Sequence, residues 1–169
     1  CEKNNPFFSY VDCTCPFVKK IHDIADEHSM EDTVFLILGD PNHPEVRGIV
    51  SHCVYENHVF ETAEELEKMI SENKIVDLHK KQPVLVAQTT QKLVEWDKTQ
   101  IILKKLCTNS IIFDTICSVT EIRQLEAKDL AGVCDYMIVI GGKDSSNTSK
   151  LTEICRSICR NTVWVENAD

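Results

Sequence analysis

The chain has 169 residues, of which 43% are hydrophobic and 27% charged, values typical of a globular protein with a real core. Its net charge of −9 argues against a surface that binds nucleic acid or an anionic membrane. No apolar run reaches the ~18 residues of a membrane span, and no signal peptide is visible. Nine cysteines, an odd number without an export signal, favour free thiols in a reducing compartment over a disulfide framework.

Short apolar runs alternate with amphipathic patterns along the chain. The runs predict buried strands, and the patterns between them predict helices. In chain order the predicted elements are helix 18–27, strand 34–38, strand 54–60, helix 62–72, strand 84–87, helix 92–106, strand 111–113, helix 119–130, strand 136–140, helix 146–160 and strand 163–165. This alternation predicts an α/β fold in which parallel sheets carry helices on both faces, with a boundary between two sets of βα units near Asp114.

Polar residues cluster just after predicted strands, including a strand inferred to end at Val11. The carboxyl ends of parallel strands are where α/β folds bind ligands. Each cluster alone is weak evidence, because Thr89, Ser145, Ser146 and Asn147 taken singly are well explained as helix caps. The five segments are 12–16, 39–45, 88–90, 114–117 and 141–147.

The cysteines differ in how well they are placed for chemistry. Cys13 and Cys15 are two apart in a segment expected to be extended, so they point to opposite faces, and Cys15 beside Pro16 is the better ligand. Cys155 and Cys159 lie four residues apart on a predicted helix and therefore share one of its faces. They could form half of a metal site or pack in the core, and their apolar neighbours favour the core. We expect the remaining interior thiols to be small buried hydrophobic residues: Cys53, Cys107 and Cys134.

Taken together, five motifs are specific. In order along the chain they resemble the 4-hydroxy-3-methylbut-2-enyl diphosphate reductase family, the LytB-type iron–sulfur reductases, over essentially the whole sequence. The family's reaction is reductive dehydroxylation of that diphosphate to isopentenyl and dimethylallyl diphosphate, the last step of the methylerythritol phosphate isoprenoid pathway. The motifs are Cys15-Pro16, His43-Pro44-Glu45-Val46 with Gly48, Gln88-Thr89-Thr90, Asp114 to Cys117 with Arg123-Gln124, and Ser145-Ser146-Asn147.

The resemblance implies a role for each matching residue. Cys15 and Cys117 match two of three cysteines that hold a 4Fe–4S cluster, and Glu45 matches the proton donor. Thr89 is expected to orient the substrate hydroxyl or relay protons. A reduced ferredoxin or flavodoxin is the expected electron donor. The residues matching those that bind the substrate, mainly its diphosphate, are His43, Thr89, Ser145, Ser146 and Asn147.

The resemblance also implies a three-domain parent protein. In it, residues 1–15 would end a missing first domain, 16–114 would form a middle α/β domain, and 115–169 would form a third, incomplete at its C-terminus. The family's third cluster cysteine would lie before Cys1 and its last substrate-binding serine beyond Asp169, so we expect the chain alone to be inactive. We expect a cytoplasmic location, with plastid import as the alternative.

Two other functions remain open from the sequence. The chain could be a non-catalytic diphosphate-binding module or a decayed copy, although a pure binder has no need of the acid at Glu45. It could also be a zinc-binding α/β protein. The absence of any Cys-x-x-Cys pair opposes that hypothesis, because structural zinc sites commonly use such pairs.

Overall fold

The computed structural model describes residues 11–167 except 76, 77 and 79. Helices and parallel strands alternate through this part of the chain, and they form one sheet of four strands and one of two. The helices are α1 (Pro16–His28), α2 (Pro44–His52), α3 (Ala63–Ser71), α4 (Leu93–Leu106), α5 (Ser118–Val133) and α6 (Ser146–Ile158). The strands are β1 (Thr33–Leu38), β2 (Asn57–Phe60), β3 (Gln82–Ala87), β4 (Ile111–Ile112), β5 (Met137–Ile140) and β6 (Thr162–Val165).

The first sheet has the strand order β2-β1-β3-β4, and its core lies on both faces. All six residues of β1 are buried, as a continuous apolar run predicts for a central parallel strand. Phe35 and Ile37 pack towards α1 and α2, whereas Leu36 and Leu38 pack towards α3 and α4. Burial of each such side chain contributes about 1.5–3 kcal/mol, so this sheet is the stable frame of the molecule.

The second sheet pairs β5 with β6 in parallel. Helices α5 and α6 cover one of its faces, where Cys155 and Cys159 pack with Ala131, so the interpretation of these cysteines as core residues is confirmed. On the opposite face Ile138 and Ile140 are 68% and 72% exposed. The predicted α/β class with parallel sheets is confirmed, and within the described residues the second sheet carries helices on one face.

Three details of the sequence interpretation are wrong. Strand β2 begins at Asn57 and not at residue 54, because the Tyr55 amide donates to the Ser29 hydroxyl instead of to a neighbouring strand. Val11 lies in coil, and the remainder of the strand inferred to end there falls outside the described residues. Cys134 is exposed at the end of α5, whereas Cys107 is buried as expected.

Helix α2 is the element that the sequence analysis treated as a loop. Pro44 occupies its first turn, where its fixed φ is favourable and its missing N–H is not needed. Val46 and Ile49 are buried at a helical spacing, which attaches the helix to the sheet. The consequence is that Glu45 lies in the first turn of a helix and not on a free loop.

No helix in the described ranges is both long and apolar enough to cross a membrane. The predicted end of a first domain, residues 1–15, lies for the most part outside the described residues.

Candidate functional site at the carboxyl edge of the first sheet

The register of the first sheet brings three chain segments to one edge. Leu38, the last residue of β1, pairs with Phe60 at the end of β2 and with Ala87 at the end of β3. The segments that follow these strands therefore start side by side. Gly39 begins one of them, and a Cβ there would lie 2.7 Å from a Val46 methyl, so only glycine allows this approach of β1 to α2.

Glu45 and Thr89 form the central contact of this edge. The Thr89 amide donates to one Glu45 carboxylate oxygen at 2.6 Å, and the Thr89 hydroxyl donates to the other at 2.8 Å. Thr89 is buried and Glu45 is half-buried. One carboxylate is thus fixed in orientation by a single residue of the neighbouring strand end, as a group that transfers a proton at a defined place must be.

His43 is the residue that begins α2. Its Nδ1 accepts a hydrogen bond from the Glu45 amide at 3.2 Å, so the ring caps the helix. Accepting at Nδ1 requires a lone pair there, and the neutral ring then carries its proton on Nε2. Nε2 is left as a donor for a ligand, and His43 lines a cavity whose lining does not include Glu45.

Gln88 connects the first sheet to α6. Its Oε1 accepts from the Asp40 amide at 3.1 Å, and its Nε2 donates to the hydroxyls of Thr90 and Ser146 at 3.0 and 3.2 Å. The Thr90 and Ser146 hydroxyls are themselves 3.0 Å apart. Because Gln88 is fully buried, these bonds hold Ser146 at the edge of the first sheet.

A cavity of about 420 Å³ opens between this edge and the start of α6. His43 lines it from the first sheet, and Ser145 and Ser146 line it from α6. The Ser145 hydroxyl oxygen accepts from the amide and the hydroxyl of Thr148, which makes Ser145 the cap of α6 as expected. Asn147 is half-buried and does not line this cavity.

The two matched cysteines each stand immediately before a helix. Cys15 precedes α1 and is exposed, and Cys117 precedes α5 and is half-buried. The Cys117 amide donates to the Thr89 carbonyl at 3.0 Å, so this thiol belongs to the same edge as Glu45. Positions before a helix favour negative charge, so thiolates suit them.

The matched cysteines are the type of ligand that an iron–sulfur cluster needs, but they are too few to hold one. Thiolates are the usual ligands of such clusters, and Cys15 and Cys117 supply that chemistry. Among residues 11–75, 78 and 80–167, no group of three or more His, Cys, Asp or Glu side chains lies close enough to hold a metal ion. A complete set would need at least one ligand from outside the described residues.

The sequence analysis did not identify Thr115 and Gln124 as residues that position the site, although both lie within the quoted motifs. The Thr115 hydroxyl accepts from the Ala87 amide at 2.8 Å and donates to the Ala87 carbonyl at 2.7 Å, which fixes the turn before Cys117. Gln124 donates to the Gln91 carbonyl at 2.8 Å and thereby ties α5 to the first sheet. Their place in polar motifs near strand ends was the available signal.

Comparison with known proteins agrees with this geometry. The model of the family described as LytB protein matches residues 2–169. The chain belongs to the LytB protein family.

Several relatives of this LytB chain are named 4-hydroxy-3-methylbut-2-enyl diphosphate reductase. It is 44% identical over 158 residues to the 4-hydroxy-3-methylbut-2-enyl diphosphate reductase of Clostridium tetani, covering 94% of the chain and 23% of that protein. The reductase of Caldanaerobacter subterraneus subsp. tengcongensis is 38% identical over 159 residues, with 94% of the chain and 52% of that protein covered. The LytB chain therefore spans 23% of the length of the first relative and 52% of the length of the second.

Solved structures agree with the family assignment. A structure of E-1-hydroxy-2-methyl-but-2-enyl-4-diphosphate reductase from Plasmodium falciparum superposes with a TM-score of 0.77 at 26% identity. The match covers 92% of the LytB chain and 47% of the Plasmodium falciparum chain. A structure of (E)-4-hydroxy-3-methyl-but-2-enyl diphosphate reductase gives a TM-score of 0.55 at 32% identity, with 92% and 53% covered. The likeness extends over both sheets.

Proposed function

We propose that the protein containing this LytB chain reduces 4-hydroxy-3-methylbut-2-enyl diphosphate to isopentenyl and dimethylallyl diphosphate. The observation that carries the proposal is the double hydrogen bond between Thr89 and Glu45. The backbone carbonyl of the same Thr89 accepts a hydrogen bond from the Cys117 amide. This arrangement combines a fixed acid with a thiol at one edge of the sheet. The names of the relatives supply the substrate class.

The reaction breaks a carbon–oxygen bond and consumes two electrons and two protons. Glu45, in its protonated form, gives the first proton to the leaving hydroxyl, which departs as water. The second proton goes to one end or the other of the allylic group, and this choice gives the two products. Thr89 keeps the Glu45 carboxyl turned towards the reacting oxygen through the hydroxyl and amide bonds described above.

The diphosphate would be held by neutral donors. His43 offers Nε2–H, and Ser145 and Ser146 offer hydroxyls across the same cavity. Asn147 would join them by a rearrangement of the start of α6, since it does not line the cavity here. Such donors bind phosphate oxygens without a large excess of basic residues, which suits a chain of net charge −9.

A 4Fe–4S cluster, when bound, would supply the two electrons. Cys15 and Cys117 would provide two of its thiolates, and a third would come from the remainder of the parent protein. The chain alone would then be inactive. A reduced ferredoxin or flavodoxin would donate the electrons, in the cytoplasm or in a plastid.

The proposed domains follow the two sheets. A boundary near Asp114 places β1 to β4 in a middle domain of residues 16–114 and β5 and β6 in a third domain of residues 115–169. This division is supported by the packing of α5 against α6, which share the core of the second sheet.

The test is anaerobic iron and sulfide analysis of the reconstituted full-length protein beside its Cys15→Ser and Cys117→Ser variants. Matched controls are Cys13→Ser, two residues from Cys15, and Cys134→Ser, an exposed thiol at the opposite end of α5 from Cys117. We expect a cluster in the parent and both controls and its loss in both test variants. A parent without a cluster, or a cluster indifferent to both test substitutions, would overturn the proposal.

A further inference from the structure

Lys150 lies on α6 one turn after Ser146. Side chains four residues apart share a helix face, and helical side chains lean towards the N-terminus of their helix. Lys150 therefore shares a face of α6 with Ser146, whose hydroxyl accepts from Gln88. Its Nζ is buried and has no hydrogen-bond partner among the described residues, although Lys150 lines the cavity.

The other two lysines that line the cavity are neutralised. Lys92 is paired with Glu153, and Lys143 is paired with Glu166 at 3.6 Å. Within the part of the chain that the structure describes, Lys150 is therefore the cavity lysine without a carboxylate partner.

Nearby acids attract Lys150 but are engaged elsewhere. Glu45 is held by Thr89, Asp40 accepts from the Asn42 amide at 2.8 Å, and Glu153 is paired with Lys92. Burial of the Lys150 amine, together with the like charge of Lys92, lowers its pKa to about 8. A buried ammonium group is costly to the fold when, as for Lys150 among the described residues, no carboxylate pairs with its charge.

We propose that Lys150 is the cation that pairs with the diphosphate of the substrate when that group enters the cavity between His43 and Ser145. A change of side-chain rotamer that brings Nζ into the cavity would give it, in the diphosphate, the charged partner that the fold withholds, while the histidine and serine donors bind the remaining oxygens. The identity of the anion rests on the proposed function, and the inferred anionic partner rests on the unpaired Nζ of Lys150. That amine must outweigh the carboxylates that also line the cavity, which are Asp40, Glu61, Glu95, Asp144 and Glu153. Lys150 is thus a further substrate-binding residue, outside the Ser145-Ser146-Asn147 motif.

The experiment measures binding of inorganic pyrophosphate to the 169-residue chain by titration calorimetry. The variants are Lys150→Met, which keeps most of the length of the side chain without its charge, and Lys150→Arg, which keeps the charge. Lys143→Met is the matched control, since Lys143 lines the same cavity but is exposed and already paired. Circular dichroism confirms that each variant is folded before it is titrated.

We expect Lys150→Met to weaken pyrophosphate binding by about tenfold or more, and Lys150→Arg and Lys143→Met to change it by less than about threefold. Binding near pH 8 should also be coupled to proton uptake, because an anion beside Nζ favours the ammonium form. That uptake, compared between buffers of different ionisation enthalpy, should be smaller in Lys150→Met than in the unsubstituted chain. A purely structural lysine would not change it.

Three results would overturn the inference: no binding of pyrophosphate to the unsubstituted chain, unchanged binding in Lys150→Met, or an equal loss in Lys143→Met. These results are separate from failure of the proposed function, which the cluster analysis decides without any change at Lys150. A cluster that depends on Cys15 and Cys117, with binding indifferent to Lys150, would remove this inference alone. Binding that depends on Lys150 in a protein without a cluster would leave an anion site and remove the reductase.

Discussion

Thr89 holds the Glu45 carboxylate with two donors, its amide at 2.6 Å and its hydroxyl at 2.8 Å, although the two residues are 44 positions apart. The contact exists because β1 and β3 end at the same edge and α2 begins with His43 as its cap. The orientation of the acid thus depends on the sheet register and on the start of a helix together.

Glu45→Gln should abolish most activity of the complete reductase while leaving the fold intact. The glutamine can still accept from the Thr89 amide and can donate to its hydroxyl, but it cannot give a proton to a leaving group. We expect turnover to fall by roughly 100- to 10,000-fold, as for loss of a general acid. Steady-state assays with reduced electron donor measure it, and Glu121→Gln, an exposed first-turn acid of α5, is the control. Near-normal turnover in Glu45→Gln would refute the acid role.

Thr89→Val should destabilise the chain by about 1–3 kcal/mol, because it removes the hydroxyl donor to a carboxylate that stays half-buried. Urea denaturation measures this change, and Thr89→Ser, which keeps the hydroxyl, should recover most of it. A double-mutant cycle with Glu45→Ala, which removes both hydrogen bonds, isolates the contact, and we expect a coupling of about 0.5–3 kcal/mol. Independent effects of the two substitutions would show that the hydrogen bonds add nothing to stability.

Gln88→Leu should weaken the attachment of α6 to the first sheet. The substitution leaves the half-buried Asp40 amide without its acceptor and removes the donor to Ser146, which should cost about 2–4 kcal/mol. Hydrogen exchange should quicken at the start of α6 more than in β1. Gln100→Leu, at the surface of α4, serves as control. Equal protection of α6 in the Gln88 variant and the unsubstituted chain would contradict the role of Gln88 as a connector.

Lys150→Met should stabilise the chain near neutral pH. The folded pKa of about 8 lies below the ordinary 10.5, so the unfolded chain binds this proton more readily and the charged lysine destabilises the fold below pH 8. The cost disappears as the pH rises from about 8 towards 10.5. We expect a gain of roughly 1–3 kcal/mol at about pH 7 by urea denaturation, and a smaller gain at about pH 9.5. A less stable variant at neutral pH would show that the amine has a partner in the fold.

The sequence was informative wherever one strong pattern decided the structure. The apolar runs of β1 and β3 identify buried parallel strands, and Thr62 followed by Glu65 marks the start of α3. The Thr62 hydroxyl does accept from the Glu65 amide, at 3.2 Å. In a full capping box the Glu65 carboxylate would also accept from the Thr62 amide. Here it accepts from the Glu61 amide, a difference in local geometry that residue spacing does not predict.

Helix α2 was missed because its turn residues resemble those of a loop. Gly39, Pro41 and Pro44 suggest irregular chain, and Gly48 weakens a helical pattern. Burial of Val46 and Ile49 against the sheet outweighs those preferences. Lys150 could not be singled out either, since a lysine on an amphipathic helix is normally solvated, and only the packing of α6 beside the cavity shows its amine to be buried.

The bare face of the second sheet determines how copies of this chain behave towards one another. Among the described residues, Ile138, Ile140 and Val163 present branched apolar side chains to water, and we expect the net charge of −9 to oppose contact between such faces. When the pH is lowered to about 5.1, the net charge of the chain is zero. The electrostatic repulsion between copies then disappears, while the apolar face remains exposed. Colloidal stability of the chain in solution is therefore limited by acidity before the fold itself is, and light scattering should rise before the circular dichroism of the helices changes.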